Sequence, residues 1–141
     1  MQKAFFLLYI SFISLLTCLG AAAQSSHPLH TGIYREEQAA RGEAAFMANC
    51  ASCHANDLRG NSNSPGLVGV GFLFLWEQRP LSELFEKMRG EMPTDRPGSL
   101  PAATYRDLMA FILRQNGYPA GDADLSAEVL EDAELLIISP P

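Results

Sequence analysis

Cys50-Ala51-Ser52-Cys53-His54 decides how the rest of the chain is read. It is a C-x-x-C-H pattern, the pattern of covalent haem attachment. Two intervening residues let both thiols reach the two vinyl groups of one porphyrin and add to them as thioethers. The adjacent histidine is then carried beneath the iron as its proximal ligand. Two other uses of C-x-x-C fit less well. A structural zinc site takes four ligands, and the sequence holds no second cysteine pair. A thioredoxin-like motif sits in a βαβ setting, whereas here a helix-favouring stretch precedes it and strand alternation is scarce.

Upstream, residues 33–49 are rich in helix formers, among them Glu36, Glu37, Gln38, Ala39, Ala40, Arg41, Ala44, Ala45 and Met47. Thr31 or Gly32 would start this helix, with the acids in the first turn, where the helix dipole favours them. Tyr34, Gly42, Ala45 and Phe46 are candidates for its buried side. Residues 24–32 are polar, include Pro28, and read as a flexible leader. Residues 1–23 have the order of a secretory signal peptide: Lys3, an apolar run over 4–19, then Gly20, Ala21, Ala22 and Ala23. The expected cut follows Ala23. An uncleaved anchor would be short for a span of about 20 residues, and a lipid-modified Cys18 would follow an unusual Thr17. Export places the remaining two cysteines where free thiols oxidise to disulfides, and His54 turns their reading towards haem.

Downstream, residues 56–71 are loop-like, with Gly60, Asn61, Ser62, Asn63, Ser64, Pro65, Gly66 and Gly69. The apolar run 72–76 is either pocket lining or a short helix, which periodicity leaves undecided. Leu81, Leu84, Phe85 and Met88 lie at i, i+3, i+4 and i+7, predicting a helix over 81–89 stopped by Gly90. A second loop, 91–100, contains Pro93, Pro97 and Gly98. The clearest helix spans 102–115, with Tyr105, Leu108, Met109 and Ile112 in one stripe and Pro101 in its first turn. Asn116, Gly117 and Pro119 end it. A short acidic helix over 126–134 and an apolar strip, 135–138, complete the chain.

A haem iron commonly takes a sixth ligand, and methionine opposite histidine raises its potential. Met47, Met88 and Met109 sit at helical core spacing, where methionine is often filler. Met92 lies in a loop just before Pro93, and proline holds the preceding residue extended. Met92 is therefore the expected ligand, with Met88 second. His27 and His30 stand in the leader and fit poorly.

On these residues the chain resembles the monohaem class I c-type cytochromes over 36–117. Gly42 and Phe46 match the glycine and aromatic of the family's N-terminal helix, and Leu108-Met109-Ala110-Phe111 its C-terminal helix. The resemblance implies a small all-α fold, with helices and long loops around one covalent haem c. It also implies that these two helices cross near Gly42. Ser64-Pro65-Gly66-Leu67 resembles the family's proline segment. That assigns the Pro65 carbonyl to the second ring nitrogen of His54, and Leu67 to the haem face. Met92-Pro93 matches the family's ligand loop. Further on, Pro97-Gly98-Ser99-Leu100 and Asn116-Gly117-Tyr118-Pro119-Ala120-Gly121 are similar to cytochromes associated with quinoprotein or other periplasmic dehydrogenases. The implied organisation is a signal peptide (1–23), a leader (24–32), a cytochrome c domain (33–118) and an acidic C-terminal extension (119–141).

Charge limits the partners. The net charge is −6, so no basic face for nucleic acid is expected. After Ala120 there are six acids and no Lys or Arg, leaving the haem-bearing part nearly neutral. An uncharged or mildly polar rim around the haem edge is expected from the loops near 50–56 and 92–98. The function implied is electron transfer in the periplasm between redox partner proteins, from a dehydrogenase towards the respiratory chain. A haem enzyme, or a haem subunit of an oxidoreductase complex, would need a displaceable sixth ligand, against which Met92 stands. A haem sensor would need a signalling domain for which 141 residues leave no room.

Overall fold

A computed structural model describes residues 27–141, so the expected signal peptide lies outside the described residues. Seven helices follow in order: α1 (Pro28–Thr31), α2 (Glu36–Asn49), α3 (Ala51–His54), α4 (Gly69–Trp76), α5 (Leu81–Glu91), α6 (Ala102–Gln115) and α7 (Ala127–Glu131). Among the described residues there is no strand, only isolated bridges at Asn61–Ser64 and Pro80–Leu136. The fold is the expected small all-α cytochrome c fold. No helix among the described residues is long and apolar enough to cross a membrane.

The α2–α6 crossing is the centre of the fold. A methyl group on Gly42 would sit 1.9 Å from the Asp107 carbonyl oxygen and 2.8 Å from Cβ of Phe111. Only a residue without a side chain permits that approach. Phe46 and Phe111 pack beside it with ring centroids 5.3 Å apart, a separation favoured for aromatic pairs. Arg41 reaches Asp107 at 3.1 Å, and Arg114 reaches Glu36 at 2.7 Å, tying the helices along their exposed edges.

Several boundaries differ from the sequence reading. Arg35, extended and without a side-chain cap, precedes α2, whose first turn does hold Glu36 and Glu37. The undecided run around 72–76 is helical, as α4, with Phe72 and Trp76 facing inward. Helix α5 runs through Gly90 to Glu91. A single glycine weakens a helix without ending it; the extended Met92 and the following proline end it. Pro101 is the N-cap of α6 and not its first helical residue.

The described part of the leader is not loose. Leu29 is fully buried, α1 is closed by the Gly32 N–H on the Pro28 carbonyl, and Nε2 of His30 lies 2.8 Å from the Ser139 carbonyl. Polarity concealed one buried leucine that pins the segment. The acidic extension is also part of the body: Leu125, Leu130, Leu135 and Ile137 are buried. Gln78 and Leu81 donate backbone N–H groups to the carbonyls of Ile137 and Leu135. Gly32 and Gly121 cross so closely that a Cβ on Gly121 would stand 2.3 Å from the Gly32 carbonyl oxygen.

Candidate functional site: a haem-binding cradle

The C-x-x-C-H motif begins where α2 ends. Cys50 closes α2 by donating its N–H to Phe46 at 2.8 Å, and its own carbonyl accepts from Cys53 and His54 as the single turn of α3. That turn presents both sulfurs and the imidazole from one short segment. Both thiols are free, Cys53 exposed and Cys50 half-buried. Burial pushes the Cys50 thiol up to about 11, outweighing the lowering influence of Arg96. The thiol therefore stays protonated at neutral pH, which slows its oxidation.

His54 is 8% exposed. Its Nδ1 lies 2.9 Å from the Pro65 carbonyl oxygen. A carbonyl only accepts, so Nδ1 carries the proton and Nε2 keeps the lone pair. Nε2 has no hydrogen-bond partner among the described residues, yet no buried polar side-chain atom there is unsatisfied. Nε2 therefore faces open space, as an axial ligand requires. Hydrogen bonding at the far nitrogen fixes ring orientation and raises the basicity of the coordinating one.

The loop that delivers Pro65 is held by groups the sequence reading passed over as loop formers. Gly60 donates its N–H to the His54 carbonyl at 2.9 Å, and Nδ2 of Asn61 donates to the Cys53 carbonyl at 2.7 Å. Oδ1 of Asn61 accepts from the N–H groups of Asn63 and Ser64. Gly60 has φ +71°, and a Cβ there would meet the Ser64 carbonyl at 2.4 Å. Asn116, read only as a helix stop, accepts from the Gly69 N–H at 3.0 Å and donates to the Leu67 carbonyl at 2.9 Å. Asx side chains at turns carry such a signal in principle, but their partners are distant in sequence. Leu67 is half-buried and packs, with Met88 and Cys50, against the cluster containing Phe72, Trp76 and Phe85.

Met92 follows α5 as its C-cap residue. Its backbone is extended, with φ −118° and ψ 150°. Its N–H donates to the Met88 carbonyl at 3.0 Å, and its carbonyl accepts from the buried Tyr105 hydroxyl at 2.6 Å. The Thr94 hydroxyl lies 3.4 Å from Met92 Sδ. Arg96 donates to Oδ1 of Asn49 at 2.6 Å, so the methionine loop touches the end of α2 just before the cysteines. The loop near 92–98, expected to form part of an uncharged or mildly polar rim, instead carries a charged pair, Arg96 with Asp95 at 3.2 Å, and Asp57 and Arg59 are exposed just after the loop near 50–56. Each pair is electrically balanced.

A free thiol pair, a tautomer-fixed imidazole and a backbone-clamped thioether are a donor set that fits haem c, and the helical frame around them is that of class I c-type cytochromes. Residues 37–112 match the model of a family described as cytochrome c oxidase, cbb3-type, subunit III. That match spans more than half of the chain, and the protein belongs to this family, whose cytochrome c domain implies haem and electron transfer. None of the curated proteins compared with the chain matches it. Among solved structures, the chain is similar to one in the crystal structure of the sulfane dehydrogenase SoxCD from Paracoccus pantotrophus, with 24% identity and a TM-score of 0.49. The similarity covers 66% of this chain and 54% of that one, so the chain spans about half of that protein's length.

Proposed function

We propose that the protein is an exported electron carrier holding one haem c through Cys50 and Cys53, with His54 and Met92 as axial ligands. The observation that carries this reading is the Nδ1 contact of His54 with Pro65, which leaves Nε2 as the coordinating nitrogen. When bound, the haem supplies one-electron exchange at its iron. Cys50 and Cys53 anchor the ring, so the cofactor is not lost between encounters. His54 is buried and cannot swing away, and Met92 offers a neutral thioether that favours the reduced form and raises the potential. The electron donor proposed is a periplasmic dehydrogenase of quinoprotein or related type, and the electrons pass on to the respiratory chain. Support for that partner is the run from Met92-Pro93 to Gly121 that resembles dehydrogenase-associated cytochromes. Support for the periplasm is the signal-like order of residues 1–23.

The purified protein tests this directly. Haem should remain on the chain in a denaturing gel, and be lost in Cys50→Ser with Cys53→Ser. The oxidised spectrum should carry the sulfur-to-iron charge-transfer band. Met92→Ala should remove that band and open the iron to carbon monoxide. Carbon monoxide binding equal in parent and variant overturns Met92 as ligand and favours a haem enzyme with an open site.

A further inference from the structure

Helix α4 is anchored on one side and bare on the other. Phe72 and Trp76 are buried, whereas Val70 is 86% exposed, Phe74 87% and Leu75 42%. At 100° per residue, Val70, Gly71, Phe74 and Leu75 fall within one outward face. All four lack polar side chains, although solvent-facing helical positions are normally polar. Gly71 lies between the protruding residues, and a Cβ built on it meets nothing within 4 Å. The face therefore has a projection and a hollow on adjacent turns.

The patch itself carries no charge; at its C-terminal end Arg79 donates to the Leu75 carbonyl at 3.1 Å and is already paired with Glu83. No Asp, Glu, Lys or Arg occurs between Arg59 and Glu77, so the run 60–76 is neutral in a chain of net charge −6. Polar, uncharged residues of the preceding loop, among them Asn61, Ser62 and Asn63, are exposed. An interfacial membrane helix would be expected to carry Lys or Arg beside its apolar face, and α4 carries none. Two copies of a negatively charged chain can meet at this patch without opposing like charges across it.

We propose that this face is the contact of a reversible dimer of the protein, with α4 packed antiparallel on α4 of a second copy. A two-fold axis between residues 72 and 73 sets residue 71 of one copy against residue 74 of the other, and residue 70 against residue 75. Phe74 of each copy then lies in the hollow above Gly71 of its neighbour, and Leu75 lies against Val70. One patch serves both sides, as a two-fold interface requires. The exposed apolar side chains offer on the order of 350 Å² per copy, the size of the largest patch on a typical monomer, which is often functional. Two copies bury about 700 Å² of it, below the roughly 1,200 Å² typical of stable complexes. The dimer therefore exchanges rapidly, with a dissociation constant of about 10 µM to 1 mM. The inference does not depend on which residue ligates the iron.

Sedimentation equilibrium of the haem-loaded protein across that concentration range tests it. The parent should form a concentration-dependent dimer that is no weaker at about 500 mM salt than at about 20 mM, since no ion pair is screened. Phe74→Ser should be monomeric, with an unchanged visible spectrum and melting temperature, because the side chain makes no buried contact. Gly71→Leu separates fitted packing from general stickiness. It should fold at least as well, Gly71 having a helical backbone and open space, but it should weaken the dimer at least tenfold by filling the hollow. Stronger association of Gly71→Leu overturns the proposed register. A parent that stays monomeric throughout overturns the dimer. A monomeric parent that floats with neutral phosphatidylcholine vesicles, while Phe74→Ser does not, overturns it in favour of a lipid surface.

Discussion

The hydroxyl of Tyr105, on α6, donates a 2.6 Å hydrogen bond to the backbone carbonyl of Met92. Tyr105 is buried, and α6 is the helix that crosses α2 at Gly42. The crossing at the fold's centre is thereby linked to the loop offering the thioether. Tyr105→Phe keeps the ring and removes the donor. The Met92 carbonyl then retains only the Gly98 N–H at 3.4 Å. We expect a loss of about 1–2 kcal/mol in stability, the usual cost of a deprived buried acceptor. Added imidazole should also displace the methionine faster than in the parent, read from the charge-transfer band. Displacement at the parental rate would show that the loop is set by Pro93 and Gly98 without Tyr105.

Gly42→Ala tests the crossing itself. The added methyl would stand 1.9 Å from a backbone oxygen of α6, which cannot rotate away as a side chain can. Alanine is the better helix former by about 1 kcal/mol, so propensity alone predicts stabilisation. Overpacking against backbone should win, with a net loss of about 3 kcal/mol or more. Urea unfolding of the haem-loaded protein measures the sign. A stabilised variant would falsify the close approach of these helices.

Much of the cradle was legible before any coordinates. C-x-x-C-H is a local motif, so its residues and their order carry its geometry. The extended backbone of Met92 was legible because proline acts on the residue just before it, and the 102–115 helix because its stripe and stop signals are local. The Pro65 contact to His54 came from resemblance, since nothing in the composition of 56–66 says which carbonyl faces the ring. What escaped the reading were long-range polar pairings. Asn116 holds Leu67 and Gly69 from 47 or more positions away, and Gln38 clamps Leu125 across 87. Neither lies in a pattern with a period. The burial of Leu29 escaped for the same reason: a single leucine among polar neighbours has no periodicity to show.

His27 should make the start of the described chain sensitive to acid. Burial, with His30 beside it, holds the His27 imidazole below its ordinary value of 6.5. Its Nδ1 accepts the Leu29 N–H at 3.3 Å, which a protonated Nδ1 cannot do. Between the lowered value and 6.5 the unfolded chain binds more protons than the folded one, so stability rises with pH across that window. The contribution is complete above about 6.5 and is lost as pH falls below it. Exchange of the Leu29, His30 and Gly32 amides should therefore open towards pH 5 ahead of α6 amides. His27→Ser, which can cap without titrating, should remove the pH dependence. A pH profile shared by His27→Ser would assign the effect elsewhere.

Removing the chain after Gly121 should cost stability and not only a surface tail. Gln38 is buried, donates from Nε2 to the Leu125 carbonyl at 3.2 Å and accepts the Leu125 N–H at 2.6 Å. Tyr118 donates its hydroxyl to the Ile138 carbonyl at 2.5 Å, and burial raises that phenol to about 12. Truncation leaves both side chains without partners and uncovers the surface that Leu130, Leu135 and Ile137 bury. Each such apolar side chain is worth about 1.5–3 kcal/mol, so the loss should be severe, on the scale of a whole domain's stability. Gln38→Leu is the milder probe. It breaks the Leu125 clamp with little change in volume and should cost about 2–3 kcal/mol, with amide protection falling first at Leu125 and Leu130. The haem spectrum of Gln38→Leu should remain parental, because Gln38 touches the tail and not the cradle. If the truncated protein melts with the parent, the tail packing is not part of the folded core.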